Sequence, residues 1–195
     1  MSVEREIMLT GIGGQGVQLA AQVLARAALR EQRQVMLFGS YGGTMRGGNT
    51  DSTLVVGDAP LLAPPIVEKL WGAVGLHHGF WEPVRRKLRP GAVVVLNASL
   101  FEGDVDRSAQ KVFDVPATRL ATEVGNAMSA SMVLIGALAG VTDLVRVESL
   151  VEAMLESLPP YRLQHAEVNE SALRAGYASV PQGECPAWAE EENAA

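Results

Sequence analysis

The stretch "MLTGIGGQGVQLAAQVLARAA", residues 8–28, constrains the fold more than any other part of the chain. A short apolar run, Ile7–Leu9, enters a loop with glycines at 11, 13, 14 and 16, and an Ala/Leu/Val-rich segment follows at once. Between about Val17 and Leu29, residues Ala20, Val23, Leu24, Ala27 and Ala28 recur at i, i+3, i+4, i+7 and i+8, the spacing of one helix face. Strand, glycine turn and helix in this order open an α/β unit. Gly11, Gly13 and Gly16 also satisfy the G-x-G-x-x-G pattern, in which small residues let a phosphate approach the backbone and the helix N-terminus offers free N–H groups. Taken alone, the pattern is weak evidence, and a tight strand-to-helix turn with close packing stands as the alternative to a phosphate site.

Further apolar runs bounded by Gly, Pro or charge predict strands near Glu6–Thr10, Val35–Phe38, Ser52–Val56, Ala73–Leu76, Ala92–Leu96 and Lys111–Val115. A helix is predicted around Phe80–Leu88. Beyond this the pattern turns helical, over Pro116–Val124, Ala127–Leu138, Val147–Leu158 and about Leu163–Ala175. Pro116 suits a first turn, Pro159–Pro160 is a hard stop and Gly176 suits a helix C-terminus. The expectation is one layered α/β domain over residues 1–180, with a largely parallel or mixed sheet and a helical C-terminal part. From 181 to 195, Pro181, Gly183, Pro186 and the acidic run Glu190–Glu192 read as an extended tail.

Composition excludes several functions. A net charge of −6 over 195 residues argues against a nucleic-acid partner, which needs a basic face. Cys185 is the single cysteine, so the chain has no internal disulfide and cannot by itself supply the roughly four thiolates of an iron–sulfur cluster. Met132–Val141, the most apolar later stretch, is about half as long as a membrane span. The charged segment Ser2–Glu6 leads into no signal-type apolar region. A cytoplasmic protein is expected. The 48% hydrophobic content and mean hydropathy of +0.13 leave apolar surface for a subunit interface.

A dinucleotide site also needs an acid about 20 residues past the loop to hold the ribose, or an Arg for a 2′-phosphate. Val35–Gly43, "VMLFGSYGG", offers neither. A Walker loop needs Gly-Lys-Ser/Thr, where Gly16 is followed by Val17-Gln18. A second glycine-rich stretch, "GSYGGTMRGGNTD" from Gly39 to Asp51, holds five glycines around Tyr41 and Arg46. Loops of this length in compact domains tend to be functional, and the Arg46 fork suits phosphate. Both loops, leaving strand ends, would face one crevice.

Three blocks together resemble the gamma subunit of the 2-oxoacid:ferredoxin (acceptor) oxidoreductases: "GIGGQGVQLAAQVLARAA", "SYGGTMRGGNTDSTLVVGDAP", and "VPATRLATEVGNAMSASMVLIGALAG" followed by "NESALRAGY". They span roughly residues 7–177. The resemblance implies an α/β chain without a complete active site, and so no catalytic residues of its own. It would work in a complex that oxidatively decarboxylates 2-oxoacids to acyl-CoA. Thiamine diphosphate, magnesium and iron–sulfur clusters would belong to alpha, beta and cluster-carrying partner subunits, and electrons would pass through them to ferredoxin or another acceptor. Coenzyme A is the ligand implied at this subunit. Gly13, Gly14, Gln15 and Gly16 match the family's first loop, with N–H groups toward the CoA phosphates. Tyr41, Gly42, Arg46, Gly47 and Gly48 match the second, with Arg46 as charge partner. Two positions depart from the family: Gly43-Thr44 stand where it has Pro-Glu, and Ser131 stands where it commonly has Asn.

The remaining features carry weaker signals. His77-His78 read as a helix entry or interface rather than a metal pair, since no cysteine or carboxylate cluster stands beside them. Arg85, Arg86, Lys87 and Arg89 read as a solvated basic face, and Asp104 and Asp106 as members of a turn-rich loop. Tyr161 and Trp188 could clasp a neighbour. Two rival readings stay open: a scaffold subunit whose glycine loops only pack, and a free-standing nucleotide-dependent oxidoreductase.

Overall fold

Strand β1 (Glu4–Ile12) is the axis of the sheet, with its partners fixed by where apolar side chains must go. The computed structural model describes residues 2–41, 47–61 and 67–188. Within it β1 is joined by β2 (Gln34–Tyr41), β3 (Asn49–Gly57), β4 (Leu70–Gly75), β5 (Leu88–Asn97) and β6 (Lys111–Val115), in the spatial order β2-β3-β1-β4-β5-β6. The β1–β4, β4–β5 and β5–β6 pairs are parallel, whereas β3 runs antiparallel to both β1 and β2. The sheet is therefore mixed, and every predicted apolar run is a strand to within a few residues. β2 and β3 form a hairpin closed by Tyr41 opposite Thr50. That hairpin inserts β3 beside β1, where a dinucleotide fold would place a parallel β2.

One face of the sheet is covered by α1 (Val17–Arg30), α3 (Ala117–Glu123), α4 (Ala130–Thr142), α5 (Val147–Ser157) and α6 (Ala166–Ala178). The predicted stripe of α1, from Ala20 to Ala28, is fully buried. Helix α4 is buried at every position from Ser131 to Thr142, which is what an all-round apolar helix requires. The opposite face, over β4 and β5, is covered by a smaller cluster around Trp81 and Val84. There the predicted helix Phe80–Leu88 is shorter, comprising a 3₁₀ turn (His78–Phe80) and α2 (Glu82–Arg85). The sheet interrupts it: Leu70 N–H donates to Lys87 O at 2.8 Å, so the backbone already belongs to the strand region at residue 87. His77 is the N-cap of the 3₁₀ turn, its Nδ1 accepting from Gly79 N–H at 3.0 Å, in agreement with a helix-entry role.

Gly176 departs from expectation. It lies inside α6, where a Cβ would overlap the carbonyl of Val133 in α4, and a Cβ on Gly136 of α4 would overlap the carbonyl of Leu173 in α6. These glycines let the two helices touch backbone to backbone. Gly125, a positive-φ residue at the end of α3, shows the glycine stop expected at 176.

Residues 181–188 run against their own domain. Gly183, Cys185 and Ala187 donate their N–H groups to Gly140 O, Val141 O and Thr142 O at the end of α4. The buried Arg5 donates Nε–H to Ala187 O at 2.6 Å, and the Trp188 indole N–H donates to Leu144 O at 3.0 Å. Residues 189–195 lie outside the described residues. Among the described residues no helix is long and apolar enough to cross a membrane.

Because the α4–α6 contact is backbone to backbone, a methyl group there must push the helices apart. Gly176→Ala is expected to destabilise the chain by about 2–3 kcal/mol, lowering Tm by roughly 5–10 °C for a domain of this size. Thermal denaturation followed by circular dichroism checks this; an unchanged Tm would show that the helices separate freely.

Candidate functional site

The glycine loop ends β1 and starts α1. Its last residue, Gly16, is the N-cap of α1 with φ 79°, and no side chain caps the helix. A Cβ at residue 16 would lie 2.7 Å from Ser131 Oγ, so backbone conformation and space both select glycine. The first turn of α1 carries no acid. The N–H groups of Val17, Gln18 and Leu19 take no acceptor among the described residues, which leaves the positive end of the helix dipole uncompensated.

Helix α4 starts beside it, again with no acid in its first turn, as the continuation of a 3₁₀ turn (Ala127–Ser129) that Asn126 caps, its Oδ1 accepting from Met128 N–H at 3.0 Å. The N-cap residue Ser129 instead donates its hydroxyl to Asn169 Oδ1 in α6 at 2.8 Å, in a buried bond. Between the two helix ends opens a cleft of about 460 Å³, within the roughly 300–1,000 Å³ of small-molecule sites. Three segments line it: Gly14, Gly16 and Leu19 of the loop and α1; Asn126 to Met132 before and within α4; and Leu158, Arg162, His165 and Asn169 around the α5–α6 connection. No Asp or Glu is among the described residues that line this cleft, although the chain carries 22 acids. Ser131 is 2% exposed, and its hydroxyl has no hydrogen-bond partner among the described residues.

The sequence-predicted residues divide into four groups. Gly14, Gly16 and Ser131 line the cleft. Gly13 and Gln15 do not offer their amides to it: Gly13 N–H donates to Gly48 O at 2.9 Å and Gln15 N–H to Ile12 O at 3.2 Å. The Gln15 side chain folds back to accept from Ile12 N–H at 2.9 Å. Tyr41 closes the β2 end of the hairpin, and Gly47 and Gly48 precede or open β3. Gly42 and Arg46, with Gly43 and Thr44, lie outside the described residues.

The two glycine loops nevertheless meet, through the Gly13–Gly48 bond. Their junction is braced from below by Asp51, whose carboxylate accepts from Thr10 Oγ1 at 2.7 Å and Asn49 Nδ2 at 2.8 Å, while its carbonyl accepts from Gln18 Nε2 at 2.8 Å. Asn126, Arg162, His165 and Asn169 were not singled out as site residues from the sequence. Asn126 and Asn169 sit in the third family block. The signal for Arg162 and His165 was their three-residue spacing directly after Pro159-Pro160.

The cleft is suited to an anion. Its described lining offers main-chain N–H groups, two hydroxyls (that of Ser129 already given to Asn169), two side-chain amides, a guanidinium and an imidazole, with neither carboxylate nor thiol. Burial pushes the Cys185 thiol above its ordinary pKa, so it stays protonated at neutral pH. Among the described residues no group of three or more His, Cys, Asp or Glu is placed to hold a metal ion.

Residues 6–179 match the family model for pyruvate ferredoxin/flavodoxin oxidoreductase. The chain is 32% identical over 162 residues to the 2-oxoglutarate synthase subunit KorC of Methanocaldococcus jannaschii, covering 82% of this chain and 86% of that one. It superposes with a TM-score of 0.73 at 25% identity on the pyruvate oxidoreductase subunit PORC of Thermotoga maritima, over 93% of this chain and 99% of that one. Its fold also matches part of a 2-oxoglutarate:ferredoxin oxidoreductase from Magnetococcus marinus, solved with 2-oxoglutarate, coenzyme A and succinyl-CoA bound. There the TM-score is 0.81 at 18% identity, over 93% of this chain and 32% of that one.

If the Ser131 hydroxyl serves a ligand, removing it costs the apo fold little. Ser131→Ala is expected to hold Tm within about a degree or two, because surrendering an unpartnered hydroxyl relieves rather than creates an unsatisfied group. Asn169→Ala, which orphans the buried Ser129 hydroxyl, is expected to lose about 1–3 kcal/mol. Parallel melting curves of the two variants test the distinction.

Proposed function

Given that the chain belongs to the pyruvate ferredoxin/flavodoxin oxidoreductase family, we propose that it is the gamma subunit of a CoA-acylating 2-oxoacid oxidoreductase and contributes the binding site for coenzyme A. The observation that carries this reading is the cleft, with no acid among its described lining residues, between the uncapped end of α1 and the start of α4. Coenzyme A carries a pyrophosphate and a 3′-phosphate, and helix N-termini hold such groups through backbone N–H donors and dipole. Here Gly14, Gly16 and the first turn of α1 take the pyrophosphate, and Ser131 donates its free hydroxyl. Gly13 and Gln15 shape the loop, with their amides already engaged. Arg46 precedes Gly47, whose neighbour Gly48 is bonded to the first loop, and we assign it the charge-partner role.

Bound there, coenzyme A supplies the acyl-accepting thiol to catalytic subunits. The chain's own part is to grip the nucleotide end and turn that binding energy into orientation of the distant reacting group. Thiamine diphosphate, magnesium and the iron–sulfur clusters are assigned to the alpha, beta and cluster-carrying partners in a cytoplasmic complex, with ferredoxin or another acceptor reached through them. Leu37 and Phe38 stand exposed on the edge strand β2. An apolar edge of this kind is normally covered, and a partner subunit is the proposed cover.

In the purified complex, Arg46→Ala is expected to raise KM for CoA about tenfold or more, the worth of one charge-assisted contact, and to leave KM for the 2-oxoacid within twofold. Ser131→Ala is expected to raise the CoA KM severalfold with the same selectivity. Intact assembly with an unchanged CoA KM in both variants would favour the scaffold reading instead.

A further inference from the structure

Building on that CoA reading, we propose that Arg162 and His165 recognise the 3′-phosphate of coenzyme A and so discriminate it from nucleotides that lack this group. The two residues lie in the 3₁₀ turn Pro160–His165 that joins α5 to α6. A 3₁₀ turn repeats every three residues, so positions i and i+3 eclipse, and both side chains line the cleft. Arg162 differs from most other arginines of the surface. Arg30, Arg85, Arg86, Arg107, Arg119, Arg146 and Arg174 are each paired with a carboxylate. Arg162 has no carboxylate partner among the described residues, and its guanidinium rests 5.6 Å from the centre of the neighbouring Tyr161 ring. The His165 ring meets Gln164 Nε2 through Nε2 at 3.5 Å, which leaves Nδ1 for a ligand.

The chemistry separates the two kinds of phosphate. A pyrophosphate spreads its charge over many oxygens and is matched by a row of N–H groups at a helix end. A terminal phosphomonoester is close to a dianion, and a planar guanidinium meets it with two parallel, charge-assisted hydrogen bonds. The glycine loop supplies the first kind of partner and the α5–α6 turn the second. Between them Leu19, Met128, Met132 and Leu158 give the cleft an apolar surface on which an adenine ring can lie. The buried, unpartnered Ser131 hydroxyl opens into the same space.

The test is steady-state kinetics of the assembled complex with CoA and with dephospho-CoA. Arg162→Ala is expected to raise the CoA KM about tenfold or more, leave the dephospho-CoA KM within twofold, and so remove most of the wild-type preference for CoA. Arg162→Lys, which keeps the charge and loses the fork, is expected to fall between. His165→Ala should move the CoA value in the same direction by a smaller factor. Arg162→Ala raising both KM values equally would overturn the assignment to the 3′-phosphate, and moving neither would overturn it too. Ser131→Ala separates the levels of failure. If it raises both KM values while Arg162→Ala moves neither, the cleft binds CoA and only the Arg162 assignment falls. If both variants are silent, the CoA reading falls with it.

Discussion

The backbone contact between α4 and α6 is the constraint from which the rest of the site follows. Helix α4 is apolar on every side, so it must be enclosed on every side. The sheet covers part of it, and α1 and α5 cover more. The last side is closed by α6, which comes near enough only because Gly136 and Gly176 present no Cβ. With α4 sunk to this depth, its N-terminus stands directly behind the N-terminus of α1, and Ser131 abuts Gly16. The same approach draws the α5–α6 turn to the mouth of the cleft. The uncapped end of α1, the Ser131 hydroxyl and the Arg162 guanidinium are thus brought together by a packing requirement in the neighbouring turns of α4 and α6.

The mixed sheet makes the second contribution. In a wholly parallel arrangement the connection after β2 would return across the sheet through a helix. Here it turns back as a hairpin, and antiparallel β3 takes the place beside β1. The start of β3 therefore lies next to the end of β1, and Gly13 N–H reaches Gly48 O across the gap. Asp51 fixes the junction by accepting from Thr10 on β1 and from Asn49 on its own strand. The bond that joins the loops uses the amide of Gly13, and the amide of Gln15 is engaged within its own loop by Ile12 O, which explains why those glycine-loop positions are structural while Gly14 and Gly16 remain open. The G-x-G-x-x-G pattern by itself does not show which of its amides stay free.

What could be read from the sequence was local. The six strands announce themselves as apolar runs, α1 through its Ala20–Ala28 stripe, and α4 through composition alone. The order of the strands could not be read, because β3 carries the same run of apolar residues whether it pairs parallel or antiparallel. Gly176 misled for a related reason: glycine near the end of a helical pattern suits a C-cap and a close helix contact alike, and only the position of Val133, some forty residues earlier, decides between them. The helix predicted at Phe80–Leu88 was cut short by a hydrogen bond from Leu70, another long-range partner. Arg162 and His165 were invisible as site residues because their meaning depends on α1, more than a hundred residues away, lying opposite them.

Electrostatics ties the cleft to the acidic character of the chain. A net charge of −6 repels a polyanionic ligand at long range, so affinity must come from fields that act within a few ångströms. Helix dipoles and unpaired N–H groups do this, since their influence fades beyond the first turn. A guanidinium held at the rim adds a full charge only where the ligand passes it. Several surface acids, by contrast, are matched by surface arginines, as Glu152 and Glu156 are by Arg30, and such exposed pairs contribute little to stability. The pattern that matters is therefore local: among the described residues no carboxylate lines this cleft of an acidic protein, and the Ser131 hydroxyl and the first N–H groups of α1 face it without a partner. That arrangement matches a phosphorylated ligand at short range, which is the electrostatic condition that the proposed coenzyme A role requires of this cleft.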